Sequence, residues 1–224
     1  MKKRWCIPKE NNAEFVARME NILELYAMPY NTNIPLVCMD EKPYQLLDDK
    51  VKPLSMSPGK EALEDYEYIR CGTCSIFVFT EPLVGWRRTE ALHRRTKIDF
   101  AHQIEKLLLK DYPNAQKVRL IADNLNTHTI GSLYEAFSPS HARNLARRLE
   151  IHYTPKHGSW LNIAEIEISA MQQQCINKRI STIEALNEQL SSWSTSRNDI
   201  AKSVDWHFTA EDARGKLKHL YPKL

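Results

Sequence analysis

Apolar positions recur along the chain in two kinds of pattern, and together they lay out its elements. In residues 10–27, Phe15, Met19, Ile22, Leu23 and Tyr26 return every three or four positions, the spacing of one helix face, and Pro29 closes the segment. Two short continuous runs predict buried strands. One is Ile34-Pro35-Leu36-Val37-Cys38-Met39, closed by Asp40; the other is Val118-Arg119-Leu120-Ile121-Ala122, closed by Asp123. Residues 48–66, polar and holding Pro53, Pro58 and Gly59, predict a loop. Residues 66–80 and 85–93 predict two antiparallel strands around Glu81-Pro82-Leu83-Val84. Ile98, Ala101, Ile104, Leu107 and Leu108 predict a helix over 97–110, broken at Pro113-Asn114. Residues 129–149 predict helix interrupted near Ser138-Pro139-Ser140, and 150–154 a short strand closed by Pro155. Helices follow over 160–177 and 182–197, the second opened by a capping box of Ser181 and Glu184. Thr209, with Asp212 three residues on, starts a last short helix.

This order predicts an α/β fold with a mixed sheet flanked by helices. The strands ending in Asp40 and Asp123 bring those acids side by side if they are parallel neighbours. Ligands of such sheets gather at the carboxyl ends of strands. A carboxylate ending a buried strand is costly unless its charge is compensated. Glu165 adds a third acid, early in the amphipathic stretch after Gly158-Ser159-Trp160-Leu161-Asn162. Two strand ends and one helix, each presenting a carboxylate, point to a divalent cation and to phosphoryl transfer.

The same helix offers a rival. Leu161, Ala164, Ile168, Met171 and Cys175 define its apolar stripe. At about 100° per residue, Glu165 and Glu167 fall on opposite sides of that stripe, so periodicity does not choose between them. Singly, each acid also has an ordinary explanation: Asp opens turns, and Glu is favoured at helix N-termini. Glu41 follows Asp40 in the strand and points to the other face, outside the metal shell.

Composition narrows the class without choosing the reaction. At 224 residues, 26% charged and 42% hydrophobic, the chain suits one soluble domain. No apolar run approaches the roughly 18 residues of a membrane span, and residues 1–8 carry no signal-peptide core, which places the chain in the cytoplasm. The five cysteines are odd in number and scattered. Cys71-Gly72-Thr73-Cys74 has no second Cys or His pair, so two ordinary strand cysteines are expected there. No Walker loop, GxSxG elbow or zinc-hydrolase spacing is present. Net charge is only +3, but basic residues cluster: Trp86-Arg87-Arg88, His93-Arg94-Arg95 with Lys97, Arg143 with Arg147 and Arg148, and Lys178-Arg179. Such clusters are solvated faces unless phosphates meet them, and beside a metal site DNA becomes the expected partner.

Three blocks sharpen this reading. Val37-Cys38-Met39-Asp40-Glu41-Lys42-Pro43, Ala122-Asp123-Asn124-Leu125-Asn126-Thr127-His128 and Tyr153-Thr154-Pro155-Lys156-His157-Gly158-Ser159-Trp160-Leu161-Asn162-Ile163-Ala164-Glu165 resemble the signature blocks of mariner-superfamily DDE transposases, most closely the bacterial insertion-sequence branch. The resemblance runs from about Trp5 to the C-terminus and includes residues 204–209. It implies an RNase H-like fold of five strands, with residues 1–30 a linker and helix and 31–224 the catalytic domain. It also implies Asp40 bridging two Mg²⁺ ions, replaceable by Mn²⁺, with Asp123 on one ion and Glu165 on the other. In the family the closing acid follows the Leu of a Leu-Asn pair by four residues, which selects Glu165 and leaves Glu167 facing solvent or DNA. The activity implied is cleavage of transposon ends and joining of the 3′-hydroxyl to target DNA, commonly at TA, by a homodimer acting on the bacterial nucleoid.

Two departures accompany the resemblance. The interval between Asp123 and Glu165 holds 41 residues, longer than in many relatives, with the excess expected in the helical region 132–150. Helix-turn-helix modules that read transposon ends would lie before this chain begins, so end recognition is expected to be weak. The chain would then be a shortened piece or the product of a separate reading frame. By position, His128, Lys156, His157 and Trp160 join Arg87, Arg88, Arg94, Arg95, Lys178 and Arg179 as expected DNA contacts. His128, His157 and Trp160 could equally serve local packing and hydrogen bonding, and Asn124 could orient Asp123 or cap the next element. The rival functions are an RNase H-like nuclease without strand transfer and a remnant that only binds DNA or dimerises.

Overall fold

The computed structural model describes residues 12–222 apart from 55, 60, 62 and 64, so the expectations for residues 1–11 lie outside the described residues. Five strands form one sheet of order β3-β2-β1-β4-β5. These are β1 (Leu36–Asp49), β2 (Tyr68–Glu81), β3 (Trp86–Leu92), β4 (Val118–Ala122) and β5 (Leu149–Tyr153). β1 runs antiparallel to β2 and parallel to β4; β2 and β3 are antiparallel, and β4 and β5 parallel.

The period-2 alternation of the strands divides the core between two faces. Val37, Met39, Phe77, Phe79, Val118 and Leu120 point to one face and bury against α2 (Lys97–Lys106), α3 (Ile130–Ala136) and α4 (Pro139–Arg148). Cys38 and Ile121 point to the other, where α1 (Ala13–Ala27) and the C-terminal α7 (Ala210–Lys216) pack. Ile76 and Val78 on that face meet α5 (Ala164–Gln174) and α6 (Ile183–Ile200). α1 therefore contributes to the same core as the sheet: Phe15, Met19, Ile22, Leu23 and Tyr26 are all buried in it.

Most of the expected elements are present, with informative differences. β1 does not stop at Asp40 but continues to Asp49, paired with β2 from Cys38↔Thr80 to Asp49↔Tyr68 across an irregularity at Leu46/Leu47. Its apolar run ends where β4 stops pairing with it, because beyond Cys38 only β2 flanks it. A strand with one neighbour has no second ladder for Pro43 to interrupt. Residues 48–66 are largely irregular, with an antiparallel bridge between Leu54 and Leu63. The helix of 97–110 passes after Lys106 into a π-helical stretch, Leu107–Asp111. The cap of α6 lies one residue later than expected: Thr182 accepts from the Ala185 N–H, so Glu184 is not at the box position. The Thr209–Asp212 capping box of α7 is present as expected.

Candidate active site

β1 and β4 set the first two acids. Their parallel register pairs Leu36 with Arg119 and Cys38 with Ile121. Continued by two residues, it brings Asp40 level with Asp123, on the face that α1 and α5 cover. Glu165, the second residue of α5, completes the group. All three line one cleft of about 510 Å³, together with Lys42, Ser169 and Gln172. Asp40 is the most confined. Burial, then the Asp123, Glu165 and Glu41 charges, push its carboxyl up to about 6, against the Glu41 N–H that donates to it at 2.7 Å.

The helix carrying Glu165 is aimed by the residues just before it. The chain leaves β5 through Pro155 and a tight passage at Gly158, where a Cβ would lie 2.5 Å from Pro155 Cγ. A 3₁₀ turn, Ser159–Leu161, precedes α5. Asn162, 2% exposed, donates from Nδ2 to the Met39 carbonyl at 2.8 Å and accepts the Ala164 N–H at 3.2 Å. It therefore ties the start of α5 to β1 at the residue before Asp40. Tyr26 of α1 donates to the Leu161 carbonyl at 2.7 Å from the other side.

Glu167 is not a solvent-facing or DNA-facing neighbour, as the resemblance implied. It is 2% exposed, with Arg87 of β3 at 2.9 Å and Arg197 of α6 at 3.3 Å. Asn198 also accepts the Arg87 backbone N–H at 2.8 Å and donates to its carbonyl at 2.8 Å. This buried cluster locks the rotation of α5, and on a helix so fixed Glu165 turns to the cleft.

Asp123 has its own partner. His128 Nδ1 lies 2.5 Å from Asp123 Oδ1, and Nε2 lies 3.1 Å from Glu41 Oε1. The Asp123 Oδ1 approach is a close charge contact without a hydrogen bond, and the same Nδ1 lies 3.3 Å from the main-chain carbonyl of Asp123. These two carboxylates push the imidazole up to about 9 against the opposing effect of burial. Glu41 borders the cleft, but its carboxylate, 3% exposed, is on the opposite face of β1 from Asp40 and is taken by His128.

The basic residues divide by exposure. Arg94, Arg95, Lys156, His157 and Lys178 are exposed. Four expected DNA contacts are not available for that role. His128 and Arg87 are buried and committed to the pairs above. Arg88 is held by Asp111 at 2.6 Å and by the Gln103 side chain at 2.5 Å, over the Phe79 ring. Arg179 binds Asp49 at 2.7 Å and the Asp65 carbonyl at 2.6 Å, stitching the β1–β2 ribbon. Each satisfies a local acid or carbonyl, a use that a basic dipeptide in a sequence does not reveal. Trp160 is half-buried and packs edge-on to Phe208, 5.9 Å between ring centroids. Asn124 is exposed beside Asp123. Cys71 and Cys74 are free thiols.

The donor set, three hard carboxylate oxygens around one cleft, suits a divalent cation of the Mg²⁺ or Mn²⁺ type. Burial first, and then the repulsion of the neighbouring carboxylates, raises Asp40, and such an ion would relieve both. Among the described residues, however, no three His, Cys, Asp or Glu side chains are gathered tightly enough to share one ion. Asp123 rests against His128.

A mixed sheet of this order, with level acids on parallel central strands and a third on a helix across the face, defines the RNase H-like class. The chain belongs to the DDE superfamily endonuclease family, whose model matches residues 35–187. No curated protein matches the chain. Among solved structures it is similar to the Mos1 mariner paired-end complex with Mg, at 19% identity and a TM-score of 0.60 over 100% of this chain and 67% of that one. The corresponding complex with Mn gives 18% identity and a TM-score of 0.56 over 98% and 63%. The Mos1 strand transfer complex gives 18% and 0.59 over 90% and 60%. At these identities the likeness is one of fold. The chain spans roughly three fifths to two thirds of the length of those chains. Among the described residues no helix is long and apolar enough to cross a membrane.

Proposed function

We propose that this chain is the catalytic domain of a DNA transposase. It cleaves a phosphodiester at a transposon end and directs the freed 3′-hydroxyl onto a phosphodiester of target DNA. The observation that carries this reading is the convergence of Asp40, Asp123 and Glu165 on one cleft. The family match supports the nuclease step, and likeness to Mos1 complexes described as paired-end and strand transfer supports the joining step. Asp40, whose carboxyl feels the charges of both other acids, would hold both of two Mg²⁺ ions, with Mn²⁺ as substitute; Asp123 would hold one and Glu165 the other. Two such ions stabilise the attacking and leaving oxygens of an in-line displacement at phosphorus. The partners proposed are transposon ends and a TA target, with a second copy of the chain in the synaptic complex.

The test is metal-dependent nicking of a transposon-end duplex by the domain fused to an end-recognition module, followed by joining of a pre-cleaved end to target DNA. Full activity in Asp40→Ala or Glu165→Ala would sink the assignment. Nicking without joining would reduce the chain to a nuclease. The exposed cations provide a separate prediction. Arg94→Ala and Lys156→Ala should each weaken DNA binding irrespective of sequence. Each should also flatten the dependence of log affinity on log salt by about 1, read by fluorescence anisotropy across a salt series. Arg88→Ala should leave that slope unchanged and lower the melting temperature instead, because its guanidinium is already taken.

A further inference from the structure

We infer that His128 is a positioning residue for Asp123, its ring clamped between the Asp123 and Glu41 carboxylates so that it fixes the orientation in which Asp123 faces the cleft. The inference rests on the proposed role of Asp123 as a metal ligand and names the residues that hold it ready. Asp123 follows the last residue of β4, where the ladder no longer restrains it, and its side chain is 36% exposed. An aspartate so placed can take several rotamers. A neighbour must choose one, and only His128 is in contact with it among the described charged groups.

His128 is itself immobilised, its ring by burial and packing and its main chain by two hydrogen bonds. Its side chain is 1% exposed, and it lies against Phe100 of α2 with ring centroids 4.9 Å apart. The His128 N–H donates to the Leu125 carbonyl at 3.1 Å, and Tyr153 of β5 donates to the His128 carbonyl at 2.7 Å. Glu41 then holds Nε2 from behind. Glu41 sits on the apolar side of β1, where an uncompensated carboxylate is costly. A residue there for solubility or for DNA would be outside. Its burial makes sense as the back half of a carboxylate–imidazole–carboxylate chain around the end of β4. Arg95, 53% exposed, lies 3.5 Å from the other Glu41 oxygen, and the Asp40 carboxylate feels the charges of both Asp123 and Glu41. Outer partners of this kind orient a metal ligand and typically account for about 10–100-fold in metal affinity.

The experiment uses the full chain and Mn²⁺ alone, by calorimetric titration, with ¹⁵N spectra of the histidine rings recorded without metal. The wild type should bind Mn²⁺, and Asp123→Asn should abolish that binding. His128→Gln and Glu41→Gln should each weaken it about tenfold or more. In the metal-free spectra the Nδ1 signal of His128 should move on Asp123→Asn, and the Nε2 signal on Glu41→Gln. Those two shifts carry the test if His128→Gln folds poorly, and a ring that answers to neither carboxylate overturns the clamp. Mn²⁺ affinity equal to wild type in both His128→Gln and Glu41→Gln overturns the positioning role while leaving the metal reading intact. A wild-type chain that takes up no Mn²⁺ overturns the metal reading and this inference together.

Discussion

Glu167→Ala should cost the fold about 3–5 kcal/mol, whereas Glu165→Ala, two residues away on the same helix, should leave stability nearly unchanged and remove cleavage. The Arg87 and Glu167 side chains are 1% and 2% exposed, and Arg197 reaches the same carboxylate. Deleting the carboxylate leaves a buried guanidinium with no counter-charge, the costly way to break a buried pair. Against a total stability of about 5–15 kcal/mol, that is enough to leave the variant only marginally folded. Replacing both partners with apolar residues, Arg87→Met with Glu167→Leu, should recover most of the loss, since the cost lies in the orphaned charge. Urea denaturation reads this as a midpoint shift at constant slope. A Glu167→Ala chain within 1 kcal/mol of wild type would show that the cluster does not hold α5.

That contrast also marks where the sequence is legible and where it is not. The apolar runs before Asp40 and Asp123 are encoded locally, so both strands follow from pattern; that they pair in parallel and so bring the acids level is only a condition in the sequence and is given by the sheet order. Periodicity left Glu165 and Glu167 tied because each lies to one side of the stripe. What separates them is an ion cluster drawn from β3, α5 and α6, with partners 80 and 30 residues from Glu167. No window along the chain contains that information. The same holds for Arg88, Arg179 and His128: a basic residue looks alike in sequence whether it faces phosphate or a carbonyl from a distant loop. The length of β1 was missed for a different reason. Only from Tyr44 on is β1 one half of a two-stranded ribbon, and from Gln45 on its β2 partners are exposed, so neither burial nor alternation announces that end of the strand.

Asn162 is the residue whose role emerges only from the structure and whose loss should separate catalysis from binding. Its amide bridges two of the three elements that carry the acids, through the Met39 carbonyl on β1 and the Ala164 N–H at the start of α5. Asn162→Leu, close in volume, keeps the packing but strands a buried carbonyl beside Asp40. The expected stability loss is about 1–3 kcal/mol. The larger effect should fall on chemistry. Glu165 is the second residue of the helix that Asn162 anchors, and a shift of about 1 Å between groups that must act together can lower a rate about 10²-fold. DNA affinity should be unchanged, because Asn162 is buried and none of the exposed cations leans on it. Asn162→Asp should be worse than Asn162→Leu: it keeps the acceptor for Ala164, loses the donor to Met39, and adds a fourth negative charge beside a carboxyl already raised by its neighbours. Single-turnover nicking at saturating Mn²⁺, run beside anisotropy on the same duplex, gives both quantities. If Asn162→Leu cut at the wild-type rate, β1 and α5 would keep their relation without this bridge. The task of aligning Glu165 would then fall to Tyr26 and the Arg87–Glu167 cluster alone.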